Sequence, residues 1–440
     1  MQNKFVSLSE GFTLKNRNGI WRIRDASDKF GESYDMGQDE ADVLMDLFGG
    51  ASLENVAGKH SRSYDELGDF VDALSAEGVL HKTPVGISSM ERCFPDPHPL
   101  DSVCLLITNG CNLRCRHCYM SSGDGFSREL TGEQWIEVLQ EARGLGATGI
   151  NISGGEPLMH PDFESIAAYL ANVSQFQANL NTNGLLLNRQ DINLLGSAFA
   201  SIQVSLDDAN AAGHDAFRGR HGAFYRTVNA IRGLVEAEIE THVAFTATPA
   251  NIANLMGMVD LCVQLGVSTL NIGMPVSAGR AESLSYISGS DFFRRLYEAS
   301  KEVVAEDFGI ELLLPFRIGG TSQGVSKETR LLCGGENRQV LYVHADGEAV
   351  PCDKLPVEVF GAGNVSLKSL REIWYSQSMM RFKRMSPLDL PRCKECDLLK
   401  SCGGACVARA YCEFGALTAE DSASCFMARQ HHLDTSAHKI

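Results

Sequence analysis

Three cysteines follow one apolar segment at the spacing C-x3-C-x2-C, in the stretch LLITNGCNLRCRHCYM. They are Cys111, Cys115 and Cys118. Three thiolates on one short loop can hold three corners of a cubane [4Fe–4S] cluster, whose fourth iron then has no protein ligand. Because such a cluster normally takes four cysteines, the missing ligand indicates an iron that is open to a small molecule. Structural zinc sites mostly use paired C-x2–4-C knuckles, so zinc or inert thiols are the weaker alternative.

Composition narrows the class of protein. The chain has 440 residues, enough for two or three domains. It has no apolar run of 18 residues, which argues against a transmembrane helix, and its N-terminus lacks the apolar region of a signal peptide. We therefore expect a cytoplasmic protein, in which 14 cysteines are more often metal ligands than disulfides. A net charge of −16 argues against nucleic acid or an anionic membrane as the main partner.

Residues 1–85 contain no cysteine and form the first predicted unit. Segments 12–14 and 21–23 predict short strands around a turn at 16–19, and 39–48 and 64–74 carry apolar residues at helical spacing. Small strands followed by helices favour a winged-helix-like domain. The proline-rich stretch at 81–100 predicts a linker, which we assign to residues 86–100.

Residues 101–315 alternate apolar strands with amphipathic helices. The strand candidates are 103–108, 149–153, 177–181, 201–206, 242–248 and 269–274. A helix is predicted at 131–145, where Thr131 and Gln134 form a capping-box signature. This alternation predicts an α/β fold with a parallel sheet, wrapped as a barrel or an open arc. Ligands of such sheets lie at the C-terminal ends of the strands, where the three-cysteine loop also lies.

Polar motifs follow the next three strands at the same predicted edge. They are Gly154, Gly155 and Glu156 after the second strand, Asn183 after the third and Ser205 at the end of the fourth. Glycines allow a backbone to approach a ligand closely, although a plain βα turn is the alternative. The pair Asn183-Gly184 also suits a simple turn. Arg218 could pair with a carboxylate by a bidentate contact, or lie in solvent.

Residues 316–440 hold eight of the fourteen cysteines. In order they are Cys333, Cys352, Cys393, Cys396, Cys402, Cys406, Cys412 and Cys425. Short spacings such as Cys393-x2-Cys396 indicate metal ligands. A double zinc knuckle is the alternative interpretation, because C-x2-C pairs also suit tetrahedral zinc.

The three-cysteine loop, with Gly-Gly-Glu one strand later, resembles the radical S-adenosylmethionine (radical SAM) enzymes. The C-terminal cysteine array is similar to the seven-cysteine SPASM extension of those enzymes. The resemblance implies a partial (β/α)6 radical SAM barrel over 101–315 and a cysteine-rich SPASM Fe–S domain over 316–440. It implies SAM as a cofactor, with three [4Fe–4S] clusters, one SAM-binding and two auxiliary. Residues 1–85 resemble the peptide-recognition element of ribosomal-peptide modifying enzymes, where a leader peptide adds as a strand to a sheet edge. A structural cap without a ligand is the alternative there.

The same resemblance implies roles for individual residues. The open iron of the cluster on Cys111, Cys115 and Cys118 would chelate the amino and carboxylate groups of SAM. The residues implied to contact SAM are His117, at the aromatic position of the motif, with Gly154, Gly155, Glu156, Asn183, Ser205 and Arg218.

The family pattern also implies an interleaved set of auxiliary ligands. Cys393, Cys396, Cys402 and Cys425 would hold the second auxiliary cluster. Cys333, Cys352 and Cys406 would hold the first, with Cys412 as its fourth ligand or with an open iron in its place. Asp353 lies where sulfatase-maturing relatives have an aspartate assigned as a base, and a surface or second-shell carboxylate is the alternative.

The resemblance predicts an enzyme that cleaves SAM by one electron and abstracts hydrogen from a ribosomally made precursor peptide with a leader segment. The expected product is an intramolecular carbon–carbon or thioether crosslink. The expected electron donor is a reduced flavodoxin or ferredoxin. The alternatives are a formylglycine-forming sulfatase-maturing enzyme, a small-molecule radical SAM dehydrogenase, and a non-catalytic Fe–S electron carrier or zinc-based binding protein. Asp353 favours the sulfatase-maturing alternative, and the additional N-terminal unit disfavours it.

Overall fold

The computed structural model describes most of the chain after residue 99 and parts of the chain before it. The described residues are 5–8, 12–17, 20–25, 33–36, 40, 42–44, 56–57, 59–60, 63–76, 80–83 and 100–437, the last without 127, 188–191, 285–289, 305–307, 315–338, 386–388 and 403–405. Cys333 therefore lies outside them. The chain forms two compact units, one of residues 1–99 with 146–148 and 173–176, the other of 100–145, 149–172 and 177–440.

The first unit contains short antiparallel strands and a helix. They are β1 (Phe5–Leu8), β2 (Phe12–Arg17), β3 (Ile20–Asp25), β4 (Ser33–Met36), α1 (Tyr64–Ala76) and β5 (Leu80–Thr83). The predicted hairpin is confirmed, and β2, β3 and β4 form one sheet in that order. Its two strands are longer than predicted, and their pairing extends to Arg17 and Ile20. Residues 81–83, at the start of the proline-rich stretch, belong to β5, which pairs with β1.

The helix predicted at 64–74 is confirmed as α1. Leu67, Val71 and Leu74 recur on one side of it and are buried. Most of the helix predicted at 39–48 lies outside the described residues. Within that segment, residues 40 and 42–44 are described, and they are helical.

The second unit alternates strands and helices from residue 102 onward. Its strands are β6 (Ser102–Thr108), β7 (Gly149–Gly154), β8 (Gln177–Thr182), β9 (Ser201–Ser205), β10 (Thr241–Thr246), β11 (Thr269–Gly273), β12 (Glu311–Leu313), β13 (Val340–Val343), β14 (Glu348–Val350) and β15 (Gly363–Asn364). Its helices up to residue 304 are α2 (Gly132–Gly144), α3 (Phe163–Ala171), α4 (Ile192–Ala198), α5 (Ala211–Arg218), α6 (Ala223–Glu236), α7 (Leu255–Leu265) and α8 (Ser290–Val304). Those after it are α9 (Val357–Phe360), α10 (Leu370–Trp374), α11 (Gln377–Arg384), α12 (Leu399–Cys402), α13 (Val407–Phe414) and α14 (Ser422–Ala437).

These strands form one mixed sheet in the order β12-β11-β10-β9-β8-β7-β6-β13-β14-β15. The seven strands from β6 to β12 are all parallel, as the alternation predicts. The sheet continues beyond the predicted barrel, because β13 adds in parallel to β6 and pairs Tyr342 with Cys104. The cysteine-rich region thus shares its sheet with the preceding strands and covers the edge that β6 would otherwise expose.

Strands β7, β8, β9 and β11 each have one buried apolar face and one more polar face. In β8, Ala178 and Leu180 are buried, whereas Asn179 and Asn181 are half-buried. The predicted start of the helix after β6 is confirmed, since Thr131 and Gln134 cap α2 reciprocally. Cys262 is fully buried in α7. Among the described residues, no helix is both long and apolar enough to cross a membrane.

Candidate active site and cluster-binding cysteines

The three cysteines predicted to hold a cluster lie together on the loop after β6. We call residues 109–123 the cluster loop. Cys115 forms a small buried apolar cluster with Leu113, Leu185 and Ala223. Cys111 and Cys118 pack against this cluster. Burial raises the pKa of the Cys111 thiol to about 11 and raises that of Cys115. Both thiols are therefore protonated at neutral pH unless a bound cation stabilises the thiolate.

Arg280 holds the cluster loop in shape. Its Nε atom donates to the carbonyl of Cys115 (2.8 Å), and its Nη1 atom donates to the carbonyl of Ser122 (2.9 Å). Its backbone N–H donates to the carbonyl of Cys118 (3.0 Å). The sequence pair Gly279-Arg280 carries no predicted role, yet this arginine binds the carbonyls of two of the three cysteines.

The glycines of the Gly-Gly-Glu motif pack against the cluster loop itself. A Cβ atom on Gly154 would lie 2.4 Å from the carbonyl oxygen of Thr108, and one on Gly155 would lie 2.2 Å from that of Gly110. Gly154 also has φ of +133°, which side chains rarely adopt. The two glycines therefore allow a close approach to the chain's own backbone. Whether these residues also contact SAM stays a prediction.

Glu156 ties the ends of β7 and β8 together. Its fully buried carboxylate accepts hydrogen bonds from the Thr182 hydroxyl (2.7 Å) and from the backbone N–H of Asn183 (2.8 Å). Burial raises the pKa of Glu156, although the hydrogen bonds from Asn183 and Thr182 oppose this. The side chain of Asn183 in turn donates to Oδ1 of Asn112 (2.7 Å). The predicted SAM-contacting residues Glu156 and Asn183 thus form one hydrogen-bonded unit with the cluster loop.

Arg218 is buried beside a cysteine of the cluster loop, not in solvent. Its Nε atom donates to Oδ2 of Asp207 (2.5 Å), and its Nη1 atom lies 3.7 Å from Sγ of Cys115. Burial alone would raise the pKa of Asp207, but the Arg218 guanidinium holds it below its usual range. The ion pair places a positive charge next to a thiol that becomes a thiolate when it binds iron.

His117 and Ser205 occupy the positions that the motifs predict. The His117 ring stacks on Phe217, with ring centroids 4.3 Å apart. Burial lowers the pKa of His117 to about 4, so its imidazole is neutral at pH 7. Ser205 ends β9, half-buried on the polar face of the sheet, in register with Ala244. Their contacts with SAM stay predictions.

A row of side-chain amides crosses the polar face of the central strands. Asn181 donates to Oδ1 of Asn151, Gln203 donates to Oδ1 of Asn181, and Asn271 donates to Oε1 of Gln203, each at 3.0 Å. All four side chains are half-buried. Strands β7 to β11 contain no Lys, Arg, Asp or Glu. Apart from His242 of β10, these strands therefore carry no ionisable side chain.

The C-terminal cysteines form two neighbouring groups. Cys396 and Cys402 are close enough to Cys393 for their charges to raise its pKa. The charges of Cys402 and Cys393 likewise raise the pKa of Cys425. This first group contains the four predicted ligands of the second auxiliary cluster. The pKa of Cys425 is raised to about 12, chiefly by burial.

The second group contains Cys352, Cys406 and Cys412. Burial raises the pKa of Cys352 to about 12 and that of Cys412 to about 11, and Cys406 contributes to both shifts. Cys412 Sγ lies 3.4 Å from the carbonyl oxygen of Lys354. Cys412 is thus next to the described ligands predicted for the first auxiliary cluster. Within the described ranges, no three His, Cys, Asp or Glu side chains converge tightly enough to hold a single metal ion.

Asp353 is buried between the cluster loop and Cys352. Its Oδ2 atom accepts a hydrogen bond from the Tyr119 hydroxyl, and its Oδ1 atom accepts one from Lys354 Nζ (2.8 Å). Burial would raise the pKa of Asp353, but Lys354 and Tyr119 hold it below its usual range. The aspartate is therefore an ionised, buried group and not a surface carboxylate. Tyr119 carries no motif of its own in the sequence, and only its position after Cys118 pointed to it.

The donor set suits iron–sulfur clusters and SAM. Soft thiols lie in three groups, and the arginines Arg218 and Arg280 lie beside the group on the cluster loop. The side-chain N–H atoms of Asn112 are buried on the same loop without a hydrogen-bond acceptor among the described residues. Such a donor is explained by an acceptor that the bound cofactor provides.

Family comparisons agree with this donor set. The pattern of the Radical SAM superfamily matches residues 105–262, and that of the SPASM iron–sulfur cluster-binding domain matches residues 333–397. Both matches fall on the regions that hold the cysteine groups.

Curated relatives match across most of their length. An AdoMet-dependent heme synthase of Methanosarcina barkeri is 32% identical over 70% of this chain and 91% of its own. The sporulation killing factor maturation protein SkfB of Bacillus subtilis is 29% identical over 76% of this chain and 79% of its own. The mycofactocin maturase MftC of Mycobacterium tuberculosis is 29% identical over 73% of this chain and 81% of its own.

Solved structures share the fold at low sequence identity. Streptococcus suis SuiB bound to its precursor peptide SuiA superposes with a TM-score of 0.67 at 14% identity, covering 96% of this chain and all of SuiB. The enzyme anSMEcpe with bound AdoMet superposes with a TM-score of 0.60 at 16% identity, covering 77% of this chain and all of its own. With the relatives and the cysteine motifs, these findings lead to one conclusion: the chain belongs to the radical SAM superfamily, as an enzyme with a SPASM domain that uses SAM and iron–sulfur clusters.

Proposed function

We propose that this enzyme modifies a ribosomally made precursor peptide and closes a carbon–carbon or thioether crosslink in it. When bound, the reduced cluster and SAM supply a 5′-deoxyadenosyl radical that abstracts hydrogen from an unactivated C–H bond. The uncharged amide row on β7 to β11 carries the proposal. Amides pair well with amides, and each of these side chains keeps hydrogen-bonding capacity for a peptide backbone beyond the bonds of the row.

The same row argues against a tetrapyrrole substrate, which the heme synthase among the relatives suggests. Tetrapyrroles carry several carboxylates, and proteins bind carboxylates with Arg or Lys. Strands β7 to β11 provide neither residue. Two relatives are named as maturases, and SuiB was solved with its precursor peptide, which supports the peptide interpretation.

The N-terminal unit, residues 1–85, is proposed to bind the leader of the precursor. Its three-stranded sheet places β4 at an edge, where an extended peptide can add as a further strand. Proline at Tyr34 and proline at Asp35, made separately, test this. Neighbouring residues direct their N–H groups to opposite sides of a strand, so one of the two variants should disturb the free edge alone. The proposal would be contradicted if both variants, and a chain without residues 1–85, bind the leader as tightly as the parent enzyme does.

Three [4Fe–4S] clusters are proposed, one on the cluster loop and two in the cysteine-rich region. The two neighbouring thiol groups after residue 339 support the two auxiliary sites. Asp353 is proposed as the base that takes a proton as the substrate radical is oxidised, with Tyr119 holding its carboxylate. An ionised aspartate suits that role, because it can accept a proton without first losing one.

The electron donor is proposed to be a reduced flavodoxin or ferredoxin that docks beside the cluster loop. Arg116 and Arg220 are exposed there, and Arg220 donates to the carbonyl of Asn112 within the loop (3.2 Å). Asp124, itself exposed and paired with Arg114, follows the last residue of the loop. Exposed arginines on a chain of net charge −16 suit an acidic partner protein.

The direct test is co-expression with each short open reading frame next to the gene, followed by mass spectrometry of the peptide. Crosslink formation removes two hydrogens and depends on Cys111, Cys115 and Cys118. The purified, reconstituted enzyme is assayed in parallel with iron coproporphyrin. Loss of carboxyl groups from the porphyrin, with no change in any peptide, would favour the tetrapyrrole alternative.

A further inference from the structure

The side-chain amide of Asn112 has a fixed orientation on the cluster loop. The backbone N–H of Leu185 donates to Oδ1 of Asn183 (2.9 Å), so the other end of the Asn183 amide must be its NH2 group. That group donates to Asn112 across 2.7 Å, so the Asn112 atom that receives it is Oδ1. The hydrogen-bond chain therefore leaves no freedom to exchange the oxygen and nitrogen of Asn112.

The NH2 group of Asn112 is then the end without a partner. Its Nδ2 atom is buried and has no hydrogen-bond acceptor within the described part of the chain. Burying an N–H group without an acceptor costs free energy, and such groups in proteins usually have a partner. The adjacent backbone is hydrogen-bonded within the loop, since the N–H of Cys111 donates to the carbonyl of Gly123 (2.7 Å).

The position of this donor identifies its acceptor. Asn112 lies between Cys111 and Cys115 in the sequence. Its partner Asn183 binds the Glu156 carboxylate, which is close enough to Cys111 to raise the pKa of that thiol. We propose that the Asn112 amide donates a hydrogen bond to a sulfur of the SAM-binding cluster, with Asn183 as the residue that orients it. This inference rests on the chain being a radical SAM enzyme and is independent of its substrate.

Hydrogen bonds to cluster sulfurs are one of the means by which a protein sets reduction potential. A donor stabilises the reduced cluster more than the oxidised one, because the reduced cluster carries the more negative charge. Asn112 therefore makes the SAM-binding cluster easier to reduce. Its loss should lower the midpoint potential without changing the ligands.

The first experiment measures that potential in the full-length, reconstituted enzyme. The electron paramagnetic resonance signal that changes on adding SAM identifies the SAM-binding cluster, and the redox titration is then done without SAM. In Asn112→Ala and Asn112→Asp we expect a lower potential, by about tenfold in the reduction equilibrium constant or about 59 mV. The matched controls are Asn172→Ala and Asn172→Asp, since the side chain of Asn172 donates to a helix carbonyl at the end of α3. Iron and sulfide content is measured in every variant.

A second variant reverses the orientation of the Asn112 amide without substituting Asn112 itself. In Asn183→Asp the acceptor for Leu185 remains, but the NH2 group that faces Asn112 is replaced by an oxygen. Asn112 must then turn its NH2 group toward residue 183 and its oxygen toward the cluster. We expect the potential to fall in this variant, and to fall no further when Asn112→Ala is added. Additive effects in this double-mutant cycle would mean that the two residues act separately.

Spectroscopy provides a readout that a merely structural role would not change. With asparagine labelled by 15N in its side chain, the reduced SAM-binding cluster should show a 15N hyperfine coupling that Asn112→Asp and Asn183→Asp abolish. An unchanged potential with full cluster content, or no coupling in the parent, would overturn the proposal. A change in SAM affinity alone would also overturn it and assign the amide to SAM. If the Asn112→Ala protein does not assemble the cluster, the potential of Asn183→Asp and the 15N coupling of the labelled parent still test the proposal.

Discussion

The hydroxyl of Tyr119 donates a hydrogen bond to the carboxylate of Asp353. Tyr119 follows Cys118, the last cysteine of the cluster loop, and Asp353 follows Cys352, a predicted ligand of an auxiliary cluster. One hydrogen bond thus joins two segments that are 234 residues apart in the sequence and that lead to two different predicted clusters. A proton and an electron leaving the same substrate radical would find their acceptors close together.

This link leads to a prediction about coupling between SAM cleavage and product formation. With its peptide substrate, Asp353→Asn should lower product formed per 5′-deoxyadenosine released by about 100-fold, the lower range for loss of a general base. Tyr119→Phe removes one hydroxyl that donates to the carboxylate and leaves the carboxylate itself in place, so its effect should be smaller. The ratio is measured by quantitative mass spectrometry, and an unchanged ratio in both variants would rule out the base.

Arg280 should be needed for the cluster loop to retain its iron. Its guanidinium donates to the carbonyls of Cys115 and Ser122, and each bond from a charged donor contributes about 1.5–3 kcal/mol. In Arg280→Gln we expect faster iron loss to a chelator and a lower yield of 5′-deoxyadenosine. Arg294→Gln is the control, because Arg294 is exposed and paired with Asp291. Equal rates of iron loss in the two variants would contradict this role.

Glu156 should support SAM binding through the geometry of the strand ends. Thr182 and Asn183 donate to different oxygens of the Glu156 carboxylate, and Glu156→Gln replaces one of these two acceptors with an NH2 group. An unsatisfied buried group costs about 1–3 kcal/mol, so we expect lower thermal stability and SAM affinity reduced about tenfold. Thr182→Val tests the same contact from the other side. Full SAM affinity in both variants, measured by calorimetry on the reconstituted protein, would show that the contact is dispensable.

Cys412 is expected to act as a ligand of the first auxiliary cluster. Its thiol lies with Cys406 and Cys352. Cys412→Ala should change the electron paramagnetic resonance signal of one auxiliary cluster and leave the signal of the SAM-binding cluster as it is. Cys262→Ala is the matched control, because Cys262 is a buried thiol in the helix core. Identical spectra of the parent and Cys412→Ala would mean that this cluster has an open iron or another ligand.

The exposed arginines beside the cluster loop should matter only for a protein donor. Arg116→Glu should lower kcat/KM for a purified bacterial flavodoxin hydroquinone by about tenfold, because the reversed charge repels an acidic partner. Release of 5′-deoxyadenosine with excess dithionite should remain near that of the parent. Arg232→Glu, an exposed site farther along α6, is the control. Equal losses with flavodoxin and dithionite would indicate damage to the loop instead of lost docking.

The sequence alone determined the features that depend on local spacing. The C-x3-C-x2-C loop, the Gly-Gly-Glu turn and the capping box of Thr131 and Gln134 each act within a few residues, so their patterns predict their structure. The parallel order of the strands also followed from the alternation of apolar strands and helices. The residues of the cluster loop could be identified for the same reason.

Tertiary structure alone decided which distant residues meet. Arg218 is buried against Asp207 and Cys115, and Asp353 is buried against Tyr119, although both residues could equally have lain at the surface. The sheet extends from β6 into β13, across the predicted domain boundary. Such contacts depend on strand order and on burial, which pair segments hundreds of residues apart. No local spacing encodes them, and the orphaned amide of Asn112 is visible only once those contacts are known.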